Sequence, residues 1–301
     1  MTPQIINLNQ AQRERLAYID FRLYFIGEVG RPDLAKRFAV APAAATRDLA
    51  LYRELAPQNM VFDGSNKVYR TGTAFVPLFE HAPQRVLSAL AQGFGDGLNT
   101  LCQPMLACES PAVLSRPQME VLAPVCRAIH ARRALAIRYH SISSGESERV
   151  IVPFALVDTG LRWHVRAFDR KSSEFRDFVI TRIQAPVPLA EDPKPNEHPG
   201  RDQQWNRLLD LELVPHPRIK RPEIVEMDYG MRDGALRLKL RAATAGYMLL
   251  RWGVDCSPDH SLKEEHYRLW LSDPQALSGI ENAKLAPGYH TTVSKNNMQF
   301  G

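Results

Sequence analysis

Two sets of side chains in this 301-residue sequence are spaced to do chemistry, and both would bind anions instead of breaking bonds. The first lies between Pro42 and Ala56. Wound as a helix, this stretch puts Ala45, Leu49, Tyr52 and Ala56 on one stripe, with Ala43, Thr46, Arg47, Ala50 and Glu54 opposite. Small side chains at the start of such a face let a helix approach a DNA groove, and an arginine can reach guanine edges or phosphates. The second set lies on two predicted strands. Arg162, His164 and Arg166 alternate along one, and Arg176 and Arg182 share a face with Phe178 and Ile180 on the next. Arginine's planar fork suits phosphate, and Tyr139 or Phe178 could stack a base. The plainer readings are a solvated helix face and the outward residues of a half-exposed sheet.

Bond-breaking chemistry finds no support. There is no phosphate-cradling Gly-rich loop, His-Glu-x-x-His, Gly-x-Ser-x-Gly or cluster of carboxylates. Gly93-Phe94-Gly95-Asp96-Gly97 begins like a glycine motif, but it follows a helical stretch and reads as a helix terminus or turn. His164 has no second His or Cys at ligand spacing. The expectation is a protein with no catalytic residues, metal or cofactor, and not an enzyme.

Three units must position these residues. In residues 1–80, Asn9 and Gln12 form a capping pair for a helix carrying Leu16, Ile19 and Leu23 on one side and Tyr18, Phe21 and Phe25 on the other. A helix apolar on both sides needs two packing partners, from its own domain or a second subunit. Helices from Arg31 to Phe38 and Pro42 to Ala56 follow, joined by Ala39-Val40-Ala41. Met60 to Arg70 then reads as a hairpin around Asp63-Gly64. Three helices and a hairpin in that order predict a winged helix-turn-helix. Its DNA-contacting candidates are Arg31, Ala43, Thr46, Arg47, Tyr52, Arg53, Lys67 and Arg70, the last two on the wing; Tyr52 is equally a core candidate.

Residues 81–117 read as a helical linker, and 118–192 as a set of short strands. These are Leu135 to Ser141, Val150 to Val157, Leu161 to Asp169 and Phe175 to Ile183, a spacing that suggests a small antiparallel barrel. Ala185-Pro186-Val187-Pro188 and the polar, proline-rich run to Gly200 read as an exposed break. In 205–301, a short helix near Leu208 and Leu209, strands at Ile224 to Tyr229, Leu236 to Arg241 and His266 to Leu271, and a helix from Ala242 to Trp252 predict a small α+β unit.

The net charge of +5 is too small to name a partner, but its placement is informative. Residues 1–80 carry ten Lys/Arg and eight Asp/Glu; residues 118–190 carry eleven and seven. The larger basic surplus sits on the predicted barrel. Four scattered cysteines, without Cys-x-x-Cys, argue against a disulfide framework and for a reducing cytoplasm. No apolar run is long enough to cross a membrane.

Ile137-Arg138-Tyr139, Pro153, Trp163-His164-Val165, Phe175-Arg176-Asp177-Phe178 and Arg182-Ile183, preceded by a winged helix-turn-helix, resemble the WYL transcription regulators, particularly the BrxR/CapW-type repressors found beside phage-defence operons. The resemblance spans nearly the whole chain. It implies an α+β multidomain fold with an Sm-like or SH3-like WYL β-barrel and a C-terminal extension for dimerisation. It also implies a homodimer on double-stranded, inverted-repeat operator DNA, and a nucleotide or nucleic-acid-derived anionic ligand at the barrel. Tyr139, Ser141, Ser143, Trp163, His164, Arg166, Arg176, Phe178 and Arg182 are the ligand candidates. In the eponymous triplet only Trp163 is kept; His164 stands for Tyr and Val165 for Leu. The alternative is an accessory protein that binds single-stranded DNA or RNA mainly through the barrel.

Overall fold

A computed structural model describes residues 5, 7–94, 104–109, 111 and 114–290. Gly95, Asp96 and Gly97 of the glycine-rich stretch, and Cys102, lie outside the described residues. The chain divides into two compact units, Met1–Pro111 and Ala112–Gly301.

In the first unit, α1 (Gln10–Phe25) starts at Asn9, whose side chain accepts from the Gln12 N–H. One side of α1 buries Leu16, Ile19 and Leu23 in the core of the unit. The other side meets rings from the same unit: Tyr18 packs edge-on to Phe38 and Phe94, and Phe21 to Phe94 and His81. Both packing partners of the helix are thus intramolecular. A two-residue strand, β1 (Glu28–Val29), leads into α2 (Arg31–Phe38), and α3 (Pro42–Leu55) follows. Between the helices Ala39 sits in the left-handed region, at φ 52°, which ends α2 sharply and turns the chain into α3. Pro42 occupies the first turn of α3, where its missing N–H costs nothing. β2 (Met60–Asp63) and β3 (Val68–Thr71) form the wing, and β1 joins β3 on its other edge. Two residues are too few to show period-two alternation, so β1 leaves no trace in the sequence. The unit ends with α4 (Pro83–Gln92).

The second unit opens with α5 (Met119–Ala131), a helix the sequence conceals because Pro124 lies inside it. Its Val121, Val125 and Ala128 pack into the interior of a five-stranded antiparallel sheet. The strands are β4 (Leu135–Ser141), β5 (Gly145–Asp158), β6 (Trp163–Asp169), β7 (Glu174–Val179) and β8 (Ile183–Pro188), in the order β7-β6-β5-β4-β8. β5 is long and bends at a register shift between Pro153 and Ala155, so its first half pairs with β4 and its second with β6. β8 is an edge strand, where prolines fit a sheet. That explains why Ala185 to Pro188 looked like a break. The following run is not simply exposed either: Glu197 is buried, accepting a fork from Arg170 at 2.8 and 3.0 Å.

Beyond α6 (Gln203–Asn206) the chain forms a second sheet of order β10-β9-β12-β11. Leu208–Pro215 is strand β9, not a helix: Leu209, Leu211 and Leu213 alternate inward. Conversely, residues expected as a strand form α7 (Pro222–Tyr229), started by Pro222 and stopped by Gly230 at φ 57°. β10 (Leu236–Arg241), α8 (Ala242–Trp252), β11 (Val254–Asp255) and β12 (Leu269–Leu271) complete the unit. The basic side chains of β10 lie on a solvated face, Arg237 against Glu212 and Lys239 against Asp210.

Candidate nucleic-acid interface and sensor site

α3 separates its two faces as its spacing requires. Ala45, Leu49, Tyr52 and Ala56 are buried, while Ala43, Thr46, Arg47 and Glu54 are exposed. Three polar contacts fix its rotation and depth. Arg15 on α1 forks onto the buried carboxylate of Asp48 at 2.6 and 3.3 Å. Tyr52 donates its hydroxyl hydrogen to Asp20 at 2.5 Å and accepts from Asn59 at 3.0 Å. Asp20, fully buried on α1, also accepts the backbone N–H groups of Leu78 and Phe79 and lies 2.8 Å from Nε2 of His81. Burial, with Asp20 beside it, pushes the Tyr52 phenol well above its ordinary pKa and keeps it a neutral donor. Tyr52 is therefore removed from the DNA-contacting set. It positions α3 from behind and has no surface to offer a phosphate.

The other predicted DNA contacts are exposed. Arg47 and Arg53 lie on α3, Arg31 at the start of α2, and Lys67 and Arg70 on the wing. Thr46 donates its hydroxyl to the Pro42 carbonyl at 2.9 Å, so its methyl and its remaining lone pair are what a groove could meet. Asp63 holds the wing tip by accepting from the N–H groups of Ser65 and Asn66 and from Asn66 Nδ2. Arg70 is half-tied to the same tip: Nε donates to Asp63 at 2.9 Å and Nη2 lies 4.0 Å from Glu28. Lys67, at φ 57°, carries the wing's free charge. The sequence reading missed Asp20, Asn59, His81 and Asp48. The signal was there for Asp20, an acid between buried Ile19 and Phe21 on a helix without acidic residues in its first turn.

At the barrel, three of the proposed ligand contacts are overturned by burial. Tyr139 and Phe178 meet edge-on at 5.0 Å inside the core, and the Tyr139 hydroxyl accepts from the Val179 N–H at 3.2 Å. Neither ring can stack a base. Arg166, only 2% exposed, forks onto Asp202 at 2.8 and 3.0 Å and lies 3.4 Å from Asp177 and 3.7 Å from Glu281. Its charge is already neutralised, by Asp177 of β7 and by Asp202 and Glu281 from beyond the sheet. Arg176 and Arg182 do not share a strand face, because β7 ends at Val179 and a 3-10 turn, Ile180–Arg182, intervenes. Arg176 instead bonds its neighbour Glu174.

What remains at one end of the barrel is compact. His164 is 4% exposed, its ring 5.1 Å from that of Tyr247 on α8, and its Nδ1 meets no hydrogen-bond partner. Burial first, then the charge of Arg162 and that of Arg182, lowers its pKa to about 4, so the imidazole is neutral at pH 7. Trp163, next to it, is 41% exposed, which leaves an indole face open. Arg182 precedes Ile183, which registers with Tyr139, two residues before Ser141. Ser141 is bonded to Ser143 at 3.1 Å in the β4–β5 turn. Among the described residues no cluster of His, Cys, Asp or Glu fit for a metal ion is present, and no helix is long and apolar enough to cross a membrane.

A winged helix-turn-helix, a five-stranded sheet whose β6 begins with Trp163-His164-Val165, and an α+β extension tied to that sheet by Arg166 and Asp202 define a WYL-type transcriptional regulator. Comparison with known proteins is specific. Residues 11–92 match the BrxR transcriptional regulator winged helix-turn-helix domain, 120–188 the WYL domain, and 208–277 the BrxR transcriptional regulator C-terminal dimerization domain. The DNA-binding transcriptional repressor CapW of Escherichia coli (strain KTE188) is 31% identical over 267 residues, covering 84% of this chain and 86% of its own. CapW of Stenotrophomonas maltophilia is 33% identical over 255 residues, covering 79% and 82%. CapW of Pseudomonas aeruginosa is 30% identical over 258 residues, covering 81% and 83%. The chain belongs to the BrxR/CapW family of transcriptional regulators.

Proposed function

We propose that this protein is a homodimeric, DNA-binding transcriptional repressor that reads an inverted-repeat operator and is released from it, or locked onto it, by an anionic nucleic-acid-derived ligand at the WYL barrel. The observation that carries the reading is the division of α3: a buried stripe anchored by Tyr52 and Asp48, and an outer face of Ala43, Thr46 and Arg47 left free. Two such helices related by a dimer axis would enter successive major grooves. Arg47 reads a base edge, Lys67 and Arg70 contact backbone phosphates, and Arg31 and Arg53 support them. Dimerisation through the C-terminal domain is supported by the family description of residues 208–277. Control of a phage-defence operon is what kinship with the CapW repressors suggests. For the ligand, the contact set narrows to Trp163, His164 and Arg182, with Ser141 and Ser143 at the adjoining turn. A ligand can shift the dimer between two forms only by binding them unequally.

The barrel's larger basic surplus favours a second reading, an accessory protein whose main partner is single-stranded DNA or RNA. Competition separates the two. A repressor retains its upstream duplex against a large excess of either single strand, whereas an accessory protein surrenders the duplex and keeps the strand.

A further inference from the structure

The turn that leads into β6 has a neighbour from another part of the chain. Gly160 stands at φ +75°, and a Cβ placed on it would lie 1.5 Å from Nη1 and 1.9 Å from Cζ of Arg251. The backbone conformation favours glycine, and the bare Cα lets the guanidinium lie directly against it. Arg251 sits one helical turn after Tyr247 on α8, so the two share a face. That face runs along the entrance to β6, with Tyr247 over the His164 ring and Arg251 over Gly160.

Arg251 thus arrives where two other arginines already act. Arg162 and Arg182 both impose their charge on His164. Around the same sheet four arginines are neutralised: Arg149 by Asp169, Arg166 by Asp202, Arg170 by Glu197, Arg176 by Glu174. Arg162, Arg182 and Arg251 have no carboxylate partner among the described residues. The one carboxylate of the turn, Asp158, accepts the Gly160 N–H at 2.6 Å and forms no ion pair with any of the three. Arg251 lies against Gly160, and Arg162 and Arg182 act on His164 four residues further along the chain, so an anion at the entrance to β6 would find guanidinium groups from three places in the sequence. Beside them lie a buried imidazole nitrogen without a partner and an open indole face.

We propose that Arg251, carried by the C-terminal helix α8, completes with Arg162 and Arg182 a phosphate-binding site at the entrance to β6, with Trp163 stacking the attached base. This rests on the reading of the barrel as the sensor for a nucleic-acid-derived ligand, and it deepens that reading. The site is not confined to the barrel: one of its phosphate contacts belongs to the domain that carries dimerisation. A bound phosphate would bridge the two, so that occupancy is felt by α8 directly. The shared chemistry is a phosphate with a stackable base, which a mononucleotide or a single-stranded oligonucleotide could supply.

The test is fluorescence anisotropy on the full-length protein with a short labelled oligothymidylate, and with dTMP as a competitor. Arg251→Ala should weaken binding of the oligonucleotide by roughly tenfold or more, the worth of one charge-assisted contact. Arg251→Lys should recover part of it, and Arg237→Ala, an exposed arginine paired with Glu212, should change nothing. Displacement by dTMP at concentrations comparable to the oligonucleotide assigns the site to mononucleotides; resistance to it assigns the site to the longer chain. If Arg251→Ala binds as tightly as the wild type while Arg182→Ala does not, Arg251 is no part of the site and the proposal falls, with the sensor reading intact. If the wild type binds neither probe, the sensor reading itself fails and takes the proposal with it. Circular dichroism and a thermal melt on each variant keep a folding defect from passing as a binding one.

Discussion

The guanidinium of Arg166, in the middle of β6, forks onto the carboxylate of Asp202 with both N–O distances at or below 3.0 Å. Asp202 also caps α6 by accepting from the Trp205 N–H. The pair therefore welds the barrel to the first helix of the C-terminal part. Both groups are almost wholly buried, so removing one leaves the other's charge without compensation. Arg166→Ala should cost about 3–5 kcal/mol of stability, read as a lowered denaturant midpoint. A midpoint within error of the wild type would contradict this account of Arg166 and return it to the ligand set.

A milder loss is expected at Tyr52. Tyr52→Phe deletes the hydroxyl that Asp20 accepts, while Leu78, Phe79 and His81 still serve the carboxylate. The cost should be about 1–3 kcal/mol, measured by urea titration. Because Tyr52 lies behind the reading face, operator affinity measured well below the melting temperature should move little. A large affinity loss without any loss of stability would mean that Tyr52 touches DNA.

His164 supplies a pH dependence. Burial, with Arg162 and Arg182 nearby, holds its folded pKa at about 4 against an ordinary 6.5. The unfolded chain thus takes up the proton at a higher pH than the folded one. The stability of the neutral, buried ring is complete above about pH 6.5 and is lost as the pH falls toward 4, by up to about 1.4 kcal/mol per unit. His164→Gln should flatten that part of the stability–pH curve. An unchanged slope between pH 6.5 and 4 would show that another group titrates there.

The wing should report itself through salt. Lys67→Ala should lower operator affinity and reduce the magnitude of the salt slope by about one, as loss of one phosphate contact does. Arg70→Ala should do less, since Asp63 and Glu28 already hold part of its charge. Equal effects from the two would argue that Arg70 leaves Asp63 on binding DNA.

Much of this arrangement was legible from residue order. The stripes of α3, the wing hairpin, strands β4 and β6 and the helix at Ala242–Trp252 follow from periodicity and turn residues alone. Failures came where a local rule met a tertiary one. Pro124 hid α5, and the prolines of β8 hid an edge strand that pairs with β4. Leu208 and Leu209, read as helical, belong to a strand whose partner β10 lies over twenty residues away. In the WYL domain, alternation placed Arg166 on the same face as His164, but only the fold reveals that Asp177 and Asp202 wait there. Period-two spacing gives the face of a strand, not what covers it. The contact between Arg251 and Gly160 could not be foreseen at all, since the two are some ninety residues apart in the chain.

The central claim is that two copies of α3 read duplex DNA, and Arg47 tests it most directly. Gel-shift titration should use the duplex immediately upstream of the protein's own coding sequence, intact and with one half of any inverted repeat scrambled. The account predicts a single shifted species of dimer stoichiometry on the intact repeat and weakened binding to the scrambled one. Arg47→Ala should lose about 1–3 kcal/mol of affinity. Equal retention of the intact and scrambled duplexes, with Arg47→Ala indistinguishable from the wild type, would contradict it.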